Sequence, residues 1–342
     1  MSLFRHPTTP KTAAEYAKTK SPLLAIHLTI LENQPELVLL GICLPHTIVD
    51  ASGFGMVVEA LGKELKGEEW EAPPFPIDPE LNFLEEALEE EISKLEKLER
   101  TPNSEEGIPR DFAVASFWGK VFLVFHLLVE YFWWEAETKN LFLGEDVVRE
   151  IVEPVKREVK EMSEGREFVS TGDVLLAWVL KSAYANDSSQ NSIASTSVFS
   201  LRPLLPSLPL YPHNALGLFS LPHIPIYSLS TTPLSILALT HRRSLLSARH
   251  PSTLALIKSG RLSGDLIPKR TWGYDNWHFS NQSKAGITKF EGLGRVVGYF
   301  SHTVPFAMPH TVLFTELERG VMILGSMRRS RWETLARVLD GY

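Results

Sequence analysis

Around Pro45 the hydrophobic pattern of this chain changes period, and no other feature narrows the possible folds as much. LLAIHLTILE (residues 23–32) and ELVLLGICL (residues 36–44) are apolar runs of strand length, and the Asn33-Gln34-Pro35 break between them suits a hairpin. Past Pro45, Phe54, Val57, Val58 and Leu61 recur at helical spacing. APPFPIDPE (residues 72–80) then reads as a loop, because proline supplies no amide to a helix or a ladder. Two strands, a sharp turn, a helix and a proline-rich exit predict a mixed α/β unit.

The remainder of the chain continues that alternation. Residues 81–100 form an acidic amphipathic helix with Leu84, Leu88, Ile92 and Leu95 on one side. TPNSEEGIP (residues 101–109) reads as a linker. Helices are predicted over residues 146–163 and, capped by Ser170 and Thr171, over GDVLLAWVLKSAYA. STSVFSLRP, from Ser195, is a strand ended by Pro203. A helix near residues 232–246, strands near 294–300 and 311–325, and a terminal helix from Arg331 complete the pattern. Two subdomains are expected, residues 1–138 and 139–342.

Composition excludes several classes of function. Among 342 residues, 34 basic against 41 acidic side chains leave a formal charge of -7, which disfavours a broad nucleic-acid footprint. With Cys43 as the single cysteine, an internal disulfide framework and a cysteine-rich zinc site are excluded. His302 and His310 match no familiar zinc spacing, so no metal is expected. The first residues, MSLFRHPTTPKTAAEYAK, carry no apolar core of signal-peptide length, and a cytoplasmic protein is expected. FWGKVFLVFHLLVEYFWW (residues 117–134) has nearly the length of a membrane span, but Lys120, His126 and Glu130 interrupt it. It reads as one helix that packs inside the protein or meets a partner or a membrane surface.

The chemistry concentrates in LPHTIVDASGFG (residues 44–55). His46 stands at the exit of an apolar strand, Asp50 follows four residues later, and Ala51, Ser52, Gly53 and Gly55 open the helix. A neutral imidazole suits removal of a proton from a hydroxyl or amine near neutral pH. A neighbouring carboxylate can hold the ring directly or by bracing the backbone. The bland alternative is a strand-end turn carrying a satisfied polar pair.

In its setting the segment resembles the His-x-x-x-Asp-Gly region of the BAHD acyl-CoA-dependent acyltransferases, and in particular their fungal transferase-family relatives of the trichothecene acetyltransferase type. STGDVLLAWVLKSAYA is similar to that family's mid-chain helix. STSVFSLRPLLPSLPLYPHNALG (residues 195–217) resembles its arginine-bearing strand, proline-rich turn and Tyr-x-x-Asn element. YDNWHF resembles the segment ahead of the family's Asp-Phe-Gly-Trp-Gly motif, for which Phe290-Glu291-Gly292-Leu293-Gly294 is a degraded counterpart. The resemblance covers residue 20 to the end. It departs in having His213 where the family has glycine and in the short run of 45 residues before His46, which implies an incomplete N-terminal subdomain.

This resemblance implies a two-subdomain fold of the chloramphenicol-acetyltransferase type, with mixed sheets flanked by helices and a channel between them. It implies His46 as the general base, Asp50 as a second catalytic-site residue that turns away from the substrate and holds the loop through an ion pair with Arg202, and Arg202, Gly53 and Asn214 as support. Acyl-CoA would be a co-substrate and no cofactor would be bound; the residues that meet coenzyme A are not assigned. The acceptor would be a hydroxyl or amine of a small secondary metabolite, and the protein a monomer. A condensation-type enzyme and a catalytically impaired binding protein remain the alternatives. Asn276 and Trp277 are candidates for the neighbourhood of an oxyanion donor. Arg242–Arg243, Lys269–Arg270 and Arg328–Arg329 are candidate phosphate contacts. His27 reads as a sheet-face histidine, and Ser52 and Ser301 lack a nucleophile-elbow sequence.

Overall fold

The computed structural model describes residues 4–73, 82–97, 112–114, 116–208, 210–262, 266–268, 274–283, 285–288, 294, 296–299 and 308–342. Helix α1 (Ala13–Thr19) precedes the strands β1 (Ala25–Leu31) and β2 (Gln34–Cys43). Helices α2 (Ala51–Lys66) and α3 (Phe83–Lys97) follow, then β3 (Phe112–Val114), α4 (Phe117–Leu128) and a π-helical turn, Val129–Trp133. The chain continues through β4 (Ala136–Gly144), α5 (Glu145–Met162), α6 (Thr171–Ala183), β5 (Ser192–Ser200), β6 (Leu216–Ser220) and β7 (Ile224–Pro225). Helices α7 (Leu234–Ala248) and α8 (Leu254–Leu262) lead to β8 (Leu266–Pro268), β9 (Tyr274–Asn281), β10 (Thr311–Leu317), β11 (Gly320–Arg328) and α9 (Arg329–Leu339).

A seven-stranded mixed sheet organises the structure, in the order β4-β11-β10-β9-β5-β6 with β7 beside β5. Its centre, β5-β9-β10, is parallel, and the remaining pairs are antiparallel. Parallel strands require crossovers. Helix α7 lies in the connection from β5 to β9, and α6 enters β5 directly. Trp277, Phe279, Val312, Phe314 and Ile323 share one sheet face and are buried against Val152 and Val155 of α5, Leu176 and Val179 of α6, Leu237 of α7, and Trp332 and Leu335 of α9. Each such side chain contributes about 1.5–3 kcal/mol on leaving water. A smaller cluster joins Leu84 and Leu88 of α3 to Phe199, Leu201, Leu205 and Leu254.

The helix ends follow from local chemistry. The Ser170 side chain accepts from Asp173 N while the Asp173 carboxylate accepts from Ser170 N, a capping box that starts α6. Gly67, at φ 70°, ends α2 and places its amide and that of Glu68 on the last-turn carbonyls. The expected single strand over residues 311–325 is instead the β10–β11 hairpin, turned at Gly320, whose φ is 149°. Among the described residues of the expected 294–300 strand, none is in a strand. The expected helix over 117–134 breaks into α4 and the π turn. There Glu130 is buried and accepts from Arg328 Nε at 2.9 Å and Nη2 at 2.6 Å.

β1 and β2 pair only with each other among the described residues. The hairpin alternates, with Ile26, Leu28 and Ile30 on an exposed side and His27 half-buried on the other, its ring 6.0 Å from that of His6. The large sheet begins at Ala136, just ahead of the expected division.

Beneath β9 lies a polar network. Tyr184 Oη donates to Asp275 Oδ2 at 2.6 Å and accepts from Trp277 Nε1 at 2.9 Å. Arg331 lies 3.8 Å over the Tyr184 ring, and Arg328 reaches Asp275 at 3.5 Å. Burial works to raise the Asp275 carboxyl, but the charges of His310 and Arg328, the Tyr184 hydroxyl and Arg331 outweigh it and hold the group below its ordinary value. Burial likewise pushes Tyr184 well up. A carboxyl depressed in the folded state contributes stability above its unfolded pKa of about 3.9, and that contribution is lost as pH falls through the folded value. Replacing Asp275 by Asn should therefore lower the thermal midpoint at neutral pH and flatten its decline below about pH 4, a comparison readable from melts across that range.

Candidate active site

The loop after β2 is a tight turn, in which the amides of Ile48 and Val49 both donate to the Pro45 carbonyl, at 3.0 and 3.4 Å. It delivers Asp50 to the start of α2, where Oδ1 accepts from Gly53 N at 2.9 Å as the N-cap. The same carboxylate is 2% exposed and takes a two-pronged contact from Arg202, Nη2 to Oδ1 and Nη1 to Oδ2, both at 3.0 Å. Ala215 N adds a fourth bond, to Oδ2 at 2.9 Å. Arg202 spends its remaining donors on the carbonyls of Tyr211 (2.8 Å) and His213 (2.7 Å) and on Ser200 Oγ (3.3 Å). Both partners of a buried ion pair are thus satisfied, which such a pair requires.

The neighbouring residues grip the loop at alternate positions. Asn214 Nδ2 donates to the His46 carbonyl at 2.9 Å, and His213 Nδ1 lies 3.2 Å from the Ile48 carbonyl. A carbonyl only accepts, so Nδ1 of His213 carries the proton in that contact. His46, Ile48 and Asp50 are therefore held by Asn214, His213 and Ala215, three consecutive residues of the loop before β6. The His46 side chain is exposed, and among the described residues nothing hydrogen-bonds its ring. Gly53 is required by closeness: a Cβ there would lie 1.7 Å from the Pro212 carbonyl oxygen. Gly55 is equally tight, its Cβ position falling 1.5 Å from the Ala285 oxygen.

All five residues singled out from the sequence thus meet in one place, three from the first third of the chain and two from the region before β6. Among the described residues Asp50 makes no hydrogen bond to the His46 ring; its four bonds all go to Arg202 and to backbone amides. Sequence reasoning noted His213 only as a departure from the family pattern and gave no role to Tyr211 or Ala215. The latter two act through main-chain groups that every residue possesses, so no side-chain pattern could reveal them. The replacement of glycine by histidine at 213 was the available signal.

Other candidates resolve differently. Trp277 is wholly buried and its indole N–H is spent on Tyr184, so that side chain cannot serve as an oxyanion donor. Arg242, Arg243, Arg328 and Arg329 pair with Asp173, Glu167, Glu130 and Glu135. Lys269–Arg270, Ser301, His302 and residues 290–293 lie outside the described residues. Asp173, His241 and Ser197 stand in charge-relay order, with Oδ1 to Nδ1 at 2.6 Å and Nε2 to Oγ at 3.5 Å, but each is buried and the Asp173 carboxylate is shared with Arg242 and Ser170. Among the described residues no three His, Cys, Asp or Glu gather as a metal site. No described helix is long and apolar enough to cross a membrane. α4 and the π turn are exposed, with Trp118 at 75% and Phe132 at 82%. A groove of about 650 Å³ between α3 and α8 is lined by Glu89, Ile92 and Lys258 and does not include His46.

No family model matches the sequence. The chain is similar to the O-acyltransferase pboC of Aspergillus ustus, 27% identical over 99% of this chain and 74% of that protein. It is also similar to the O-acetyltransferase PaAT-2 of Phomopsis amygdali, 26% identical over 69% of this chain, and spans about half of that relative's length (49%). A third relative, 24% identical over 84% of the chain and 59% of its own length, is named the transcriptional regulator calD of Penicillium decumbens. Among solved structures, TRI101 of F. sporotrichioides with coenzyme A and T-2 superposes with a TM-score of 0.64 at 17% identity, covering 92% of this chain and 68% of that one. Vinorine synthase superposes at 0.56 and 15% identity, covering 93% and 65%.

The fold is that of the BAHD acyltransferases. Within the BAHD fold the Asp50–Arg202 pair joins two segments far apart in sequence, so disturbing either side should be felt globally. Asp50→Asn strands the Arg202 charge and should cost about 3–5 kcal/mol. Gly53→Ala forces α2 away from Pro212 and should cost about 1–3 kcal/mol. Urea denaturation of both variants beside the parent checks the two values.

Proposed function

We propose that this chain is an acyl-CoA-dependent acyltransferase that moves an acyl group onto a hydroxyl of a small metabolite, with His46 as general base. The unprotonated ring nitrogen of His46 takes the proton of the acceptor hydroxyl as its oxygen forms a bond to the thioester carbonyl carbon. The tetrahedral intermediate collapses by breaking the carbon–sulfur bond, and the imidazolium returns the proton to the departing thiolate. Atoms and charge balance without a further reactant. Asp50 acts as a positioning residue in this reading, since its bonds go to Arg202 and to the amides that shape the His46 loop. Arg202, Gly53 and Asn214 serve the same placement, and a 1 Å displacement of a reacting group can cost about a hundredfold in rate.

The observation that carries the reading is the contrast within residues 46–50. Asp50 is saturated with hydrogen bonds and the His46 and Ile48 carbonyls are held from the 213–214 segment, while the His46 imidazole is exposed and has no hydrogen bond among the described residues. That combination holds the His46 main chain and leaves a ring nitrogen available to a proton. Kinship to proteins named as O-acyltransferases supports the reaction class. A structural neighbour bound to coenzyme A and T-2 supports a thioester donor and a small-molecule acceptor.

A non-catalytic binding role is the second reading, favoured by the exposed aromatic surface of α4 and the π turn, which would meet a partner or a membrane surface. Coenzyme A release from acetyl-CoA with an alcohol panel separates the two. His46→Ala should lose about 10²–10⁴-fold in turnover, whereas equal rates for parent and variant would leave only the binding role.

A further inference from the structure

Helix α4 is built inside out. At about 100° per residue, Phe117, Leu128, Val121, Phe125, Trp118 and Phe122 follow one another around an arc of about 140°. All six are exposed, by 44–75%, and no polar or charged residue of the helix falls in that arc. The opposite side carries Gly119, Leu123, His126 and Leu127, each half-buried, and leads to Glu130, which is 1% exposed. There the Glu130 carboxylate accepts from Arg328 Nε and Nη2 at the end of β11, and His126 Nε2 lies 3.5 Å from it. A surface helix ordinarily turns its apolar stripe to the protein and its charges to water. Here a buried ion pair holds the polar side down, and the aromatic side faces outward.

Phe132 and Trp133 of the π turn, 82% and 77% exposed, extend the outward side. An aromatic side chain carries about 150–250 Å² of surface, so the six rings of Phe117, Trp118, Phe122, Phe125, Phe132 and Trp133 together expose about 800 Å². The largest apolar patch of a typical monomer is about 300–600 Å². A stable interface takes about 800 Å² from each partner. The face is also uneven: a hollow of about 350 Å³ is lined by Phe117, Lys120, Val121 and Val124. Area and shape are therefore those of one half of a protein–protein contact.

We propose that this face is a homodimer interface, covered by the same face of a second copy of the chain across a two-fold axis. Such a contact requires one patch to be complementary to itself. An arc without charges meets its own copy with no like charges opposed, and Lys120 stands outside the arc, at the rim. Homodimer interfaces are more apolar than the general surface, whereas the contact of a passing partner is about as polar as the rest of the protein. A membrane surface fits less well, because interfacial helices carry many Lys and Arg on their polar side. Lys120 is the single Lys or Arg of α4 and the π turn, Glu135 follows directly, and the chain carries a formal charge of -7. Pairing of copies departs from the monomer that the family resemblance implies, and it is independent of the chemistry at His46.

Sedimentation equilibrium of the full chain at micromolar concentration should give twice the chain mass, with a thermal midpoint that rises with protein concentration. Trp118→Lys/Phe125→Lys sets like charges against each other at the centre of the contact, and both residues are exposed, so the single copy loses no core packing. This variant should associate at least about a hundredfold more weakly and melt independently of its concentration. Phe117→Ser/Phe125→Ser removes area without adding charge; it should also weaken association, and it serves as the test should the lysine variant fail to fold. A parent that sediments at the mass of one chain overturns the proposal, as does a parent dimer that both variants leave intact. An open series of larger species also overturns it, since a two-fold contact closes at two copies. A single-chain parent that sediments with phosphatidylcholine vesicles, and a lysine variant that does not, would give the face to a membrane instead.

Discussion

The Asp50–Arg202 contact is the constraint on which the rest of the site depends. Its two charges are buried, and desolvating them costs several kcal/mol each, so the pair is a poor device for stability alone. What it supplies is placement. The carboxylate caps α2, receives Ala215 N and grips a guanidinium that in turn holds the Tyr211 and His213 carbonyls. One carboxylate thereby sets the start of a helix, the course of the loop before β6 and the end of β5. The backbone of His46, which belongs to the first third of the chain, takes its position from residues near 202–215.

The large sheet divides its two faces between opposite kinds of chemistry. One face is a core in which aromatic and aliphatic residues meet four helices; of its polar members, Tyr184 and Asp275 are bonded to one another, while Ser195 Oγ has no hydrogen-bond partner among the described residues. The other face runs a row of hydroxyls and one imidazole across the sheet, with Ser220, Thr196, His278, Thr311, Ser326 and Thr138 at one shared register.

How much of this was legible in the sequence follows from where each signal resides. The hairpin, α2 and the capping of α6 depend on local periodicity and on single side chains, and the sequence displays both. His46, Asp50, Gly53, Arg202 and Asn214 were found because each is a side-chain identity in a spaced pattern. The tethering carbonyls of Tyr211 and His213 carry no such mark. The polar row was invisible for a different reason: its members are isolated Ser, Thr and His residues in six separate segments, and only strand register brings them together. The π turn at Glu130 was read as continuous helix because the apolar period runs straight through it, while the ion pair with Arg328, almost two hundred residues away, decides its geometry.

Three histidines show how environment assigns a role to the same ring. His241 is buried, with Nδ1 on Asp173 and Nε2 facing Ser197, so both nitrogens are committed and the ring acts as a tie between α6, α7 and β5. His213 is half-committed, its Nδ1 proton directed at the Ile48 carbonyl. Among the described residues His46 is uncommitted at both nitrogens, while its backbone is held by the Asn214 amide and by a turn closed on Pro45. A general base needs an imidazole whose position is determined and whose lone pair is not already engaged. A ring fixed by hydrogen bonds to its own nitrogens meets the first condition at the expense of the second. Holding the main chain instead leaves both ring nitrogens open, and the loop at residues 45–50 is built that way.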